Sequence, residues 1–182
     1  MHNLIVEFPN AFPDYKELTQ DFDASIKKHT LNRSEHGVYD FQEARLVDIP
    51  ISSQTPWSNR FIDVIEPFIK EYLKATGLPS YAFPKDYGFE SARVKEYLKN
   101  EGQFDAHVDV GDYATARRFL VMMVYLNNVE DGGETFFPNH NIKIIPEPGK
   151  LVMFPAGFTH PHAGLMPISG RKLICGSYLH YL

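Results

Sequence analysis

One cysteine and one tryptophan occur in 182 residues, and no apolar run approaches the roughly 20 residues that a membrane-spanning helix requires. The lone Cys175 excludes an internal disulfide and fits a reducing compartment, so a cytoplasmic location is expected. Met1 to Asn10 lacks the basic start and the apolar stretch followed by small residues that mark a secretory signal, so none is expected. A basic excess is missing too. The 18 Lys and Arg against 23 Asp and Glu leave a formal charge of −5, which argues against a broad grip on nucleic acid. The local basic pairs Lys27-Lys28 and Arg117-Arg118 read as solvated faces or cleft linings. No G-x-x-x-x-G-K-S, no G-x-G-x-x-G and no G-x-S-x-G occurs, which excludes a phosphate loop and a serine-nucleophile elbow. Cys175 lies in an apolar run with no obvious base, which leaves it without a nucleophilic role.

What is present suits one packed core. With 43% hydrophobic and 14% aromatic residues, the chain is expected to form a single domain over 1–182, with a helical support region at 1–80 and a strand-rich core at 91–182. Leu4 to Phe8 reads as an edge strand. Asp14 is a candidate N-cap for a helix running to about His29, along which Leu18, Phe22 and Ile26 form one apolar stripe. Val38–Phe41 and Arg45–Ile49 are weak strand candidates. Thr55-Pro56 starts a second helix striped by Phe61, Ile65, Phe68, Ile69, Tyr72 and Leu73, bent at Pro67 and ended by Gly77. Short β-branched and aromatic runs then follow, near 92–98, 104–110, 118–126, 134–137, 142–145, 151–154, 158–163 and 172–180. The turns between them hold Asn100-Glu101-Gly102, Asp131-Gly132-Gly133 and Pro148-Gly149, the paired glycines permitting φ above zero. The expected fold class is an all-β core, an antiparallel jelly roll, with the N-terminal helices supporting one sheet face. Tyr81, Phe83, Tyr87 and Phe89 could cover the mouth of that barrel or pack on the helices.

Chemistry concentrates at His107-Val108-Asp109. Side chains two apart on an extended strand leave the same face with Cα atoms roughly 6.6 Å apart, so an imidazole and a carboxylate there can converge on one ion. A third ligand is available from His162, or from His160 two residues earlier. Two imidazoles and one carboxylate on one side of an ion suit non-haem Fe(II) and leave positions open for a chelator and dioxygen. Lys172 opens an apolar strand, and an inward ammonium there needs an anionic partner. Arg171 is the alternative inward cation.

His107, Asp109, His162 and Lys172, together with Val124-Tyr125-Leu126-Asn127 and Asp131-Gly132-Gly133-Glu134-Thr135-Phe136-Phe137-Pro138, resemble the prolyl 4-hydroxylase-like branch of the iron(II)- and 2-oxoglutarate-dependent dioxygenases. The likeness covers roughly 92–182. It implies a double-stranded β-helix in which His107, Asp109 and His162 are catalytic metal ligands for Fe(II). It favours His162 over His160 because the family's distal histidine lies about ten residues before the lysine. Lys172 would hold the far carboxylate of 2-oxoglutarate, and Tyr97 would hydrogen-bond that co-substrate unless it is a core tyrosine. Dioxygen and ascorbate as reductant complete the implied set, with a prolyl residue in a peptide or protein as the leading substrate and small molecules behind it. Two other readings remain open. One is a cupin-like zinc or manganese enzyme using both His160 and His162, and the other is a non-catalytic jelly-roll binding module.

Overall fold

The computed structural model describes residues 4–25, 30–33, 39–51 and 54–182. Its elements in chain order are β1 (Val6–Phe8), α1 (Tyr15–Ala24), β2 (Thr30–Arg33), β3 (Tyr39–Arg45), α2 (Trp57–Thr76), β4 (Tyr87–Phe89), β5 (Arg93–Tyr97), β6 (Gln103–His107), β7 (Arg118–Tyr125), β8 (Thr135–Phe137), β9 (Ile142–Ile144), β10 (Leu151–Pro155), β11 (His162–Gly164) and β12 (Lys172–Tyr181). Among the described residues the strands form one antiparallel sheet in the order β1-β10-β7-β12-β5-β3-β6-β11-β8-β9, with β2 on β3 and β4 on β12. The sheet curls into a jelly roll.

Leu120 to Tyr125 are all buried, because β7 has cover on both faces. Leu120, Met122 and Val124 face the helices, whereas Val121, Met123 and Tyr125 face the barrel interior. The same division runs through β10, where Leu151 and Met153 meet the helices and Val152 and Phe154 point inward. On β12 the helix side takes Leu173, Cys175 and Leu179, and Ile174 packs inside. Alternation with period two thus sorts one apolar run into two cores.

The helices form the outer layer. Leu18 and Phe22 of α1 and Trp57, Phe61, Ile65, Ile69 and Tyr72 of α2 are buried against the sheet, at about 1.5–3 kcal/mol for each large apolar side chain. Ile26 of the expected first stripe and His29, the expected end of that helix, lie outside the described residues. Asp14 occupies the N-cap position of α1 but caps nothing with its side chain. Its carboxylate meets Arg60 of α2 at 2.8 Å instead, alongside Glu17 at 2.8 Å, so it ties the two helices together. Pro56 is itself the N-cap of α2, one residue before the helix, and Gly77 ends it at φ +66° as the sequence requires. No helix among the described residues is long and apolar enough to cross a membrane.

Several expected boundaries move. The strand expected over Arg45–Ile49 is a 3-10 turn at Leu46–Asp48 that follows β3. The strand expected over 104–110 stops at His107, and the one over 158–163 shrinks to His162–Gly164 after a turn at 157–160. Tyr87–Phe89 is an added strand on the edge of β12. Phe83, Tyr87 and Phe89 pack on the helix-side core and not over the barrel mouth, while Tyr81 is exposed. Gly132 and Gly133 adopt φ +73° and +75°. A side chain at Gly132 would collide with the Met166 carbonyl, so glycine is required there.

Candidate active site

Strand pairing assembles the centre. The register of β11 on β6 sets His162 directly opposite His107, and a bulge follows before Gly164. Asp109 reaches the same point by a different route from the straight strand step expected. The chain leaves β6 after His107, and the Asp109 N–H donates to the Ala156 carbonyl at 3.1 Å, which ties this segment to the one after β10. The ligating atoms of His107, Asp109 and His162 lie within 4.8 Å of one another, and His162 Nε2 is 3.5 Å from Asp109 Oδ2.

Each side chain is oriented by its free neighbour atoms. Nδ1 of His107 lies 2.7 Å from the Asp105 carbonyl, and Nδ1 of His162 lies 3.2 Å from the His160 carbonyl. A carbonyl can only accept, so Nδ1 of each ring is the protonated nitrogen and Nε2 keeps its lone pair. Burial, followed by the neighbouring His162, lowers His107 to about 4, and burial lowers His162, so both imidazoles are neutral at neutral pH. The His107 ring is stacked on Phe104 at 3.6 Å between centroids. Asp109 Oδ1 accepts the Tyr178 hydroxyl at 2.7 Å, whereas Oδ2 is buried with no hydrogen-bond partner. Arg118 donates to the Asp109 carbonyl at 3.2 Å, is doubly bonded to Glu90, and lies 4.1 Å over the Tyr178 ring. Two imidazole lone pairs and one orphaned carboxylate oxygen facing one point fit a divalent cation, since a buried unpaired oxygen is costly without one.

The inner end of the same cavity belongs to Lys172, which is 1% exposed and sits opposite Tyr97 across β12 and β5. Its ammonium lies 5.0 Å from the Tyr97 ring centre and 5.9 Å from that of Tyr125, and it has neither hydrogen bond nor ion pair with any described residue. Burial lowers it to about 7. Arg171 points the other way, with Asp23 of α1 at 2.7 Å and Glu96 at 2.9 Å. His160 also stays apart. It lies in the turn before β11, its Nδ1 is hydrogen-bonded with the Thr159 hydroxyl at 2.8 Å, and its ring stacks on His140 at 4.7 Å. It is not part of the three-residue cluster.

A family described as the 2OG-Fe(II) oxygenase superfamily matches residues 92–180, the segment that supplies all of these side chains. Residues 92–180 belong to that superfamily. The oxygenase segment has prolyl 4-hydroxylases among its relatives. A putative prolyl 4-hydroxylase of Acanthamoeba polyphaga mimivirus is 28% identical over 140 residues, covering 68% of this chain and 55% of that protein. The chain spans about half the length of the curated relatives it matches first. Among solved structures, the viral collagen prolyl hydroxylase of Paramecium bursaria Chlorella virus-1, in its 2OG complex, superposes with a TM-score of 0.71 at 24% identity over 99% of this chain and 97% of the other. The Trichoplax adhaerens prolyl hydroxylase, in complex with a hypoxia inducible factor peptide fragment, gives 0.71 at 15% identity over 98% and 84%. These likenesses show that the oxygenase segment and its helical layer share the prolyl hydroxylase fold.

The sequence left out parts of the oxygenase centre. Tyr178 shares an inward face with Lys172, which was readable, but its bond to Asp109 depends on how the chain leaves β6. Tyr125 bonds Thr135 at 2.7 Å beside Lys172, and only its place in the Val124–Asn127 stretch hinted at this. Arg117 is exposed, while Arg118 turns into the cleft.

Proposed function

We propose that the chain is an Fe(II)- and 2-oxoglutarate-dependent hydroxylase of an unactivated C–H, most directly of a prolyl residue in a peptide or protein. One observation carries the reading: three ligating atoms, one of them a buried carboxylate oxygen without a hydrogen-bond partner, and a buried ammonium with no ion pair to any described residue face a single cavity. His107, Asp109 and His162 would hold the iron. Lys172 would bind the far carboxylate of 2-oxoglutarate, with the Tyr97 hydroxyl beside it. When bound, iron, 2-oxoglutarate and dioxygen supply the oxidation, in which the keto acid leaves as succinate and carbon dioxide and the substrate C–H becomes C–OH. The chain's own residues keep both imidazoles neutral, hold Asp109 through Tyr178, and wall the centre with Val121, Met123, Phe154 and Ile174 against water. Ascorbate would keep the iron ferrous, and a reducing, cytoplasmic setting would suit the free Cys175. The prolyl assignment draws on the relatives' names and on the peptide seen with one of them. A four-ligand zinc or manganese site has less support because His160 stands outside the cluster.

Anaerobic titration of Fe(II) and then 2-oxoglutarate into metal-free protein should produce the visible charge-transfer band of a keto acid chelated to iron. Iron binding without that band would overturn the hydroxylase reading. Tyr178→Phe removes the hydrogen bond to Asp109 and is expected to weaken Fe(II) binding roughly tenfold, read as a shifted titration midpoint. An unchanged midpoint would leave Tyr178 as packing alone.

A further inference from the structure

The cavity continues outward past the metal cluster into a second, more open space that shares Arg93, Lys95, Phe104, His107, Asp109 and Tyr178 with the inner one but lacks Lys172 and His162. Inward residues of β5 and β12 descend in paired steps, Tyr97 beside Lys172, Lys95 beside Ile174, and Arg93 beside Gly176. Each step is roughly 7 Å, so Lys95 stands one step outward from the co-substrate's lysine.

Three cations line the outer space, and among the described residues two of them, Arg93 and Arg118, make ion pairs while Lys95 makes none. Arg118 is held by Glu90. Arg93 approaches the same Glu90 at 3.7 Å. Lys95 has no hydrogen bond and no ion pair with any described residue. Glu43 is its register partner on β3 and attracts it without forming an ion pair, while the Lys95 ammonium lies 4.7 Å over the Phe41 ring and 5.4 Å from the Phe104 ring. The remaining carboxylates there are committed: Asp109 to Tyr178 and the metal cluster, and Asp112 to Thr115 at 2.8 Å. A cation half-buried on two aromatic faces has lost much of its hydration, and that desolvation outweighs the attraction of Asp109 and Glu43 in lowering its proton affinity. An incoming anion would restore that loss.

We propose that Lys95 is a specificity residue that binds a carboxylate of the substrate while the target carbon faces His107, Asp109 and His162. This rests on the hydroxylase reading and names its substrate class: a compound or peptide with a carboxylate close to the hydroxylated carbon. The source is either a free carboxyl end or an acidic side chain next along the chain.

Two probe pairs separate these sources, each titrated calorimetrically into anaerobic protein already saturated with Fe(II) and 2-oxoglutarate. N-acetylproline against N-acetylprolinamide tests the free carboxyl. Acetyl-prolyl-glutamate amide against its glutamine counterpart tests the side chain. The charged member of one pair should bind at least about tenfold more tightly than the neutral one, the loss expected when a charge partner is removed at a semi-buried site. Lys95→Met keeps the stem over Phe41 and Phe104 and should reduce the preference to less than about twofold, while Lys95→Arg should retain most of it. Absence of any difference within both pairs, whether through equal binding or none, overturns the proposal. So does a preference that survives Lys95→Met, or a Lys95→Met defect confined to 2-oxoglutarate affinity, which would place Lys95 on the co-substrate. Failure of the hydroxylase reading shows separately, as a missing charge-transfer band before any probe is added.

Discussion

Replacing His162 with alanine is expected to abolish 2-oxoglutarate turnover, whereas replacing His160 should leave most of it. The two histidines are two residues apart in sequence but do different work. His162 opens β11 opposite His107 and directs Nε2 at Asp109, while His160 lies in the preceding turn, bonded to Thr159 and stacked on His140. Loss of a metal ligand removes several kcal/mol of stabilisation, so His162→Ala and Asp109→Ala should each lower succinate formation on the order of 10³-fold or more. Turnover by Asp109→Ala at the wild-type rate would show that the cluster is not the metal site. A collapse in His160→Ala, with iron binding lost, would show that His160 is the third ligand.

The second large effect concerns Lys172. Its ammonium is buried beside Tyr97 and Tyr125 with no ion pair to any described residue, and truncation to alanine should weaken 2-oxoglutarate binding on the order of 100-fold. A pH signature distinguishes this from a simple packing defect. Burial lowers Lys172 to about 7, and a carboxylate beside the amine would raise it again. Below pH 7 the lysine is already charged and affinity should be flat. Above pH 7 binding must take up a proton, so affinity should fall by up to about tenfold per pH unit. Lys172→Arg keeps its charge throughout and should flatten the profile. A wild-type affinity that is constant from pH 7 to 9 would remove Lys172 from the carboxylate site.

The centre was more legible than its surroundings, for physical reasons. Lys172 stands out because an ionisable side chain inside an apolar strand is costly, whereas His107 and Asp109 stand out by their two-residue spacing and the motifs that follow. Lys172 and Arg171 could not be separated from sequence because β12 is buried on both faces, and only the partners on each side tell which face is which. His160 and His162 were ambiguous because a period of two was assumed where the chain makes a turn. Tyr87–Phe89 was missed since three residues around a glycine carry no alternation, and its pairing comes wholly from the edge of β12. The helix stripes were readable because a 3.6-residue period over α2 leaves little ambiguity.

β12 presents Lys172 and Tyr178 to the cavity and Leu173, Cys175 and Leu179 to the helix core on alternating residues. The distance between the anion anchor and the metal cluster therefore depends partly on how well the helix-side core behind that strand is filled. Occupying the cavity and melting the helical layer become linked equilibria, and linkage is reciprocal. A co-substrate bound in the cavity is expected to raise the melting temperature, and a void opened among those helices is expected to weaken its binding. The half of the chain without reactive groups thus acts as the calibration of the half that has them.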